Sequence, residues 1–249
     1  MLEGITYSPN DDNPGLENPD ADPSGAPAKR RVALRRAAVL ADIKDRALGQ
    51  LAAHGPEGLS LNGIARDMGM TGPALYRYVR SRDDLITHLV IDGYRDLADA
   101  MEAAAEVQSG GPKAIRAIAH AIRDWARAQP SHYGLLFGPP LPGYVAPDTT
   151  VVEAARGFWT MGAALREVLV DRRLPRMSRS VRADLDTFTG PTPAGAPMIE
   201  LVFDGWSRVH GWVALEINGQ FRKLAPATVD ALFERIIDRY LDDLAHLGT

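Results

Sequence analysis

The chain has 249 residues, 45% of them hydrophobic and 24% charged, with a net charge of −4. There is no cysteine, which excludes disulfides and thiolate metal sites, and no apolar run approaches the roughly 18 residues needed to span a bilayer. Nothing at the N-terminus reads as a signal peptide, so a cytoplasmic protein is expected.

The charge is unevenly placed. Residues 1–28 hold six acids and no base, residues 29–82 hold eleven Lys/Arg against four Asp/Glu, and residues 83–249 hold seventeen bases against twenty-two acids. A basic block between two acidic ones fits a polyanion partner for that block, or a solvated basic face. Residues 1–32 read as a disordered acidic tail, rich in Pro, Gly, Asn and Asp, with a basic end "KRR" at 29–31. Arg35 and Arg36 extend that basic patch, which either touches phosphates or is a solvated flank.

A first helix is expected over 34–53, with Leu34, Ala37, Leu40, Ala41, Ala47, Leu48 and Leu51 recurring at three and four. "HGPEG" at 54–58 stops it. Ser60 is an N-cap for a helix over 61–68, with Leu61, Ile64, Ala65 and Met68 inward, and Gly69 ends it. Thr71 is expected to cap the next helix, with Gly72 and Pro73 in its first turn. On that helix Leu75 and Val79 point inward, and Tyr76, Arg77 and Tyr78 point outward. Ser81 then caps a long helix over 82–107, with Ile86, Val90, Leu97 and Met101 in its apolar row. Three helices, the last two short and joined by a glycine turn, make a helix-turn-helix in a domain over 33–82.

Everything from 83 to 249 looks helical. Helices are expected over 112–129, in "SHYGLLFG", over 149–171 (Val152, Ala155, Phe158, Trp159, Gly162 and Leu165 inward), near 178–188, over 198–218 and over 226–247. The fold class is therefore all-α: a three-helix head followed by a larger helical bundle. In the last helix Val229, Leu232, Phe233, Ile236, Ile237, Tyr240, Leu241 and Leu244 form a stripe too wide for one-sided packing. It is either wholly buried or shared with a partner.

The chemistry sits around residue 77. Tyr and Arg bond phosphates and base edges, and residues 71–82 contain no acid. Arg80 and Arg82 continue the run. DNA recognition by this stretch outweighs the alternative of a merely solvated helix, which would mix Glu with Lys.

At "LSLNGIARDMGMTGPALYRYVRSRDDL" the sequence resembles the TetR family of one-component bacterial transcriptional regulators. Turn, caps, aromatics and the following charged cap agree in spacing, and the likeness covers about residues 34–90. "GWSRVHGWVALEINGQF" at 205–221 resembles the WHG-type C-terminal domain of a subset of that family, with Trp206, His210 and Gly211 in the naming positions. The resemblance implies that Ser60 and Thr71 bond phosphates from helix N-termini, that Tyr76, Tyr78 and Arg82 hold the DNA backbone, and that Asn62 reaches a base. It places Gly72, Pro73 and Ala74 at the opening of the recognition helix. Gly and Ala offer no side-chain hydrogen bond there, so specificity leans on Asn62, Tyr76 and Arg77 and on DNA shape. It further implies a homodimer through the last two helices, a double-stranded operator, and an unidentified small, largely apolar effector that releases a repressor. An activator, an effector-independent regulator and a helical protein-interaction module are the alternatives.

Candidate effector contacts are Trp125, Phe137, Phe158, Trp159, Arg166, Phe203, Trp206 and His210, the aromatics being equally good core residues. Glu216 is a further polar anchor. For His210 a hydrogen-bonded core position competes with a ligand contact. The six histidines have no tight ligand spacing, so no metal is expected. No phosphate loop, nucleophile elbow or carboxylate pair is present, and neither a cofactor nor an enzyme activity is expected.

Overall fold

The structure is a computed structural model, and it describes residues 26–170, 172, 174, 176–189 and 195–247. Expectations for 1–25 and for "GPTPA" at 190–194 lie outside the described residues. The chain divides into two compact units, Met1–Ala41 and Asp42–Thr249. Among the described residues the regular structure is all helical: α1 (Ala26–His54), α2 (Leu61–Asp67), α3 (Gly72–Leu75), α4 (Arg82–Glu106), α5 (Gly111–Ala128), α6 (Pro130–Phe137), α7 (Thr149–Val168), α8 (Arg179–Thr189), α9 (Gly195–Ile217) and α10 (Pro226–Ala245), with one 3₁₀ turn at Pro56–Gly58.

The first helix departs most from expectation. It begins at Ala26, so Lys29, Arg30 and Arg31 are helical rather than part of a tail. Its inward face also starts later. Leu34, Ala37 and Ala41 are exposed, whereas Ile43 and Ala47 are fully buried. Periodicity cannot tell a stripe that is covered from one that is not.

In the head the local chemistry acts as expected. Ser60 Oγ accepts the Gly63 N–H at 3.1 Å, and Gln50 Oε1 on α1 accepts the Ser60 N–H at 2.9 Å. Gly69, at φ 64°, closes α2 with a pair of bonds: its N–H reaches the Arg66 carbonyl, and the Met70 N–H reaches that of Ala65. The left-handed backbone there is what the glycine supplies. Leu75, Val79, Leu85, Ile86 and Leu89 are all fully buried and seat the head.

Ser81 Oγ accepts the Asp84 N–H at 3.0 Å, and Asp84 Oδ2 reaches back to the Arg80 N–H at 2.7 Å. Ser81→Ala should therefore lower stability by about 1 kcal/mol, read as a shifted urea midpoint at unchanged slope. An unchanged midpoint would show that Asp84 alone holds this helix end.

The long helix α4 packs on α5, α6 and α7, and α9 packs on α5, α7, α8 and α10. The core between them is built from Met101, Ile118, Ile122, Leu165, Val202, Val213, Phe233 and Ile237. Two glycines set close approaches. A Cβ on Gly111 would lie 2.6 Å from the Ala164 carbonyl oxygen, so the start of α5 meets the backbone of α7. A Cβ on Gly205 would lie 2.8 Å from the Tyr240 hydroxyl, which donates to the Leu201 carbonyl at 2.7 Å and ties α10 to α9.

Several ion pairs tie α4 to its neighbours from outside this core. Arg156 on α7 reaches Asp99 and Glu102 on α4, each at 2.6 Å. Arg95 on α4 reaches Glu153 on α7 at 3.1 Å, and Lys44 on α1 reaches Asp92 on α4 at 2.5 Å. The hydrogen bond from Arg156 holds the Glu153 carboxyl below the usual range, and the Glu102 carboxylate raises the Arg156 guanidinium.

On α7 two expected core residues point out. Val152 is 68% and Trp159 45% exposed, while Gly157, Met161, Gly162, Ala164 and Leu165 face in. The helix carries apolar groups around its whole circumference, so its pattern did not fix one face. The wide stripe of α10 is split: Val229, Phe233, Ile237, Tyr240 and Leu244 are buried, Ile236 and Leu241 half-buried, and Leu232 exposed.

Candidate nucleic-acid interface

The recognition segment is shorter as an α-helix than the sequence suggests. α3 spans only Gly72–Leu75, and its N-cap Thr71 has extended backbone but makes no side-chain capping bond. Pro73 lacks an N–H, and the Thr71 carbonyl takes the bonds from Ala74 and Leu75. The turn then tightens. The Arg77 N–H bonds the Ala74 carbonyl at 3.4 Å, and that of Tyr78 bonds the Leu75 carbonyl at 2.9 Å. Tyr76, Arg77 and Tyr78 thus sit on a helical turn just beyond α3. Leu75 and Val79, both fully buried, hold that turn from below.

The candidates differ in exposure. Tyr76 is 49% exposed. Ser60, Asn62, Thr71, Pro73 and Arg77 are exposed, and Gly72, Ala74, Tyr78 and Arg82 are half-buried. A Cβ on Gly72 would meet Asn62 Oδ1 at 3.6 Å, so Asn62 on α2 stands beside the opening of α3. Arg82 lies 3.7 Å from Asp83. Chemically the face offers a phenol, a guanidinium, hydroxyls and an amide, with no carboxylate between 71 and 82. Those are donors to phosphate oxygens and to base edges. Sequence reading missed Gln50, which fixes the start of α2 from α1, because a glutamine in mid-helix carries no local signal.

The proposed effector residues do not gather at one place. Phe137, Trp206 and His210 do cluster. His210 stacks on Trp206 at 5.5 Å and 11°, and Phe137 meets His210 edge-on at 4.8 Å. Tyr133, not foreseen, joins them, with its hydroxyl 3.1 Å from His210 Nδ1. Burial pushes the Tyr133 hydroxyl up to about 12 and holds the His210 imidazole below its ordinary value. Phe158, Trp159 and Phe203 form a second group, with Trp159 and Phe203 exposed. Trp125 is in the core, and Arg166 is exposed. Glu216 is taken up by Arg123, with Nε–Oε2 at 2.7 Å, and so is a structural ion pair rather than a ligand anchor.

One apolar slot does open among α5, α7, α9 and α10. It is lined by Ile118, Ile122, Leu165, Val209, Ile237 and Tyr240 among others, with about 20 Å³ of free space. That is room for a water molecule or two, not for a ligand of ordinary size. None of the eight sequence candidates lines this slot.

A glycine-closed pair of short helices, followed by a cationic and aromatic turn on a buried aliphatic seat, defines a helix-turn-helix DNA-binding protein. The family described as "Bacterial regulatory proteins, tetR family" matches residues 43–89, and that described as "Tetracyclin repressor-like, C-terminal domain" matches 115–240. The chain is 37% identical to the HTH-type transcriptional regulators Mb1846 of Mycobacterium bovis and Rv1816 of Mycobacterium tuberculosis, over 78% of this chain and 86% of theirs. Among solved structures, the regulatory protein SCO4313 superposes with a TM-score of 0.72 at 38% identity, over 84% of this chain and 98% of that one. A Rhodococcus protein of unknown function superposes at 0.64 with 23% identity, over 84% of this chain and 95% of that one, which speaks to the fold alone. The chain belongs to the TetR family of bacterial transcriptional regulators, and it is a DNA-binding regulator rather than an enzyme. No helix among the described residues is long and apolar enough to cross a membrane.

Proposed function

We propose that the chain is an operator-binding repressor acting in the cytoplasm as a homodimer. Each subunit lays the turn at 76–78 into a major groove, and Ser60, Thr71, Tyr76, Tyr78 and Arg82 hold the phosphates. The observation that carries this reading is the acid-free turn at 76–78, with Tyr76 and Arg77 exposed, standing on buried Leu75 and Val79. Asn62, beside Gly72, is the side chain best placed to read a base while Gly72, Pro73 and Ala74 permit close approach.

Dimerisation runs through α9 and α10. Exposed Phe203 and Leu215 on α9 and Leu232 on α10 support it, as does the two-fold symmetry of operators. The domain limits follow: a head over 33–82 and an effector and dimer domain over 83–249. A small apolar effector enters the bundle and favours a state in which α4 carries the two heads off operator spacing. It must bind that state more tightly than the other. The slot on α5 and α9 has to widen to admit it, and the Phe137, Trp206 and His210 cluster is the second place where it could lodge.

DNA fragments selected by the purified chain supply the test. Tyr78→Phe and Arg82→Ala should each weaken the selected duplex and a random one alike, by about tenfold. Asn62→Ala should instead lower the ratio between the two. Unchanged affinity in Arg77→Ala would remove the turn from the interface.

A further inference from the structure

The ten residues 29–38, KRRVALRRAA, form a stretch of α1 in which every position is exposed. Lys29, Arg30, Arg31, Arg35 and Arg36 give it five cations and no acid. A helix of a globular domain ordinarily buries an apolar stripe. Here Val32 is 67% and Leu34 60% exposed, so no such stripe forms. Arg31 and Arg35 are four apart, a spacing at which like charges destabilise a helix. Alanines at 33, 37 and 38 favour the helix, but only by small local propensities. Counter-charge from a partner would offset that repulsion.

We infer that residues 29–38 are a basic arm that binds the phosphate backbone of double-stranded DNA, independently of sequence and in addition to the helix-turn-helix. The inference rests on the DNA-binding reading of 43–89. Guanidinium groups form paired bonds to phosphate oxygens and do not lose their charge. The arm is continuous in sequence, through α1, with the segment that the TetR-family match covers. An acidic protein surface would also attract these cations, but DNA is the polyanion this chain handles. The arm adds affinity and salt dependence without adding sequence discrimination, because phosphate contacts carry no base information.

The test uses the full chain in two versions, with Arg30, Arg31 and Arg35 all replaced by Ala or all by Lys. Alanine keeps the helix propensity, and lysine keeps the charge. Binding to a random-sequence duplex and to a duplex selected by the unaltered chain is followed by fluorescence anisotropy across a salt series. Three arginines per subunit are six in the proposed dimer, so the alanine version should lower the slope of log K against log salt by up to about five units on both duplexes. The ratio between the duplexes should stay as it was, and the lysine version should restore the slope. An alanine version with the original slope and affinities overturns the proposal. So does a loss that lysine fails to restore, because the arginines would then act through structure. If instead Arg77→Ala leaves both affinities intact, the reading of the turn fails, and the arm is still judged on the random duplex.

Discussion

Glu216→Leu is expected to lower the unfolding free energy by about 3–5 kcal/mol, because it strands a buried charge. Arg123 on α5 has a side chain only 5% exposed. Its guanidinium makes two bonds to Glu216 on α9, at 2.7 and 2.9 Å, and one to Asp230 on α10, at 2.8 Å. It also lies 4.7 Å over the Phe233 ring. The hydrogen bond to Glu216 is the main cause of its raised pKa, so the group does not escape by losing a proton. Without Glu216 it keeps only Asp230, whose side chain is 55% exposed. Arg123→Met combined with Glu216→Leu should recover most of the loss, since apolar replacement removes both desolvation penalties. Urea unfolding at fixed protein concentration measures both variants. A single variant within about 1 kcal/mol of the parent would mean that the guanidinium finds water after relaxation.

Leu75→Ala should cost about 2–5 kcal/mol and weaken DNA binding with it. Leu75 is fully buried at the end of α3, directly before Tyr76, and its carbonyl takes the N–H bonds of Tyr78 and Val79. Removing its side chain leaves a cavity under the turn that presents the three candidate recognition residues. The head then samples other arrangements, and the bound geometry becomes a fraction of the population. Affinity should fall for selected and random duplexes together, while the bundle keeps its helical circular dichroism. Wild-type affinity in a destabilised Leu75→Ala chain would show that the turn keeps its position without this seat.

The parts of the structure that were legible in the sequence are those fixed by residues close together in the chain. Ser60, Gly69 and Ser81 mark helix ends through bonds that span three to five residues, and all three act as their chemistry dictates. The apolar rows of α4 and α5 were equally plain, because only one face of each is apolar. Thr71 looked like a cap and is not one in its side chain, since the adjacent Gly and Pro set the turn instead. Leu34 and Trp159 looked inward because periodicity reports a stripe and not what covers it. Arg123 was illegible for a different reason. Between Ile122 and Asp124 it resembles a surface charge, and its partners lie about a hundred residues away. The exposed group of Phe158, Trp159 and Phe203 likewise depends on the meeting of α7 and α9, which no local pattern encodes.

The ion pairs along α4 bear on how a signal would travel. Asp92 answers to the head through Lys44, and Asp99 and Glu102 answer to the bundle through Arg156. One rod therefore carries two latches, one near its middle and one toward its C-terminal end, and sliding or turning it strains both together. Intermediate positions would leave carboxylates half-separated from their cations at both latches while the packed faces are out of register. Such a lever is expected to snap between two settings rather than drift, so graded occupancy of the bundle would be read at the DNA as a changing proportion of two forms.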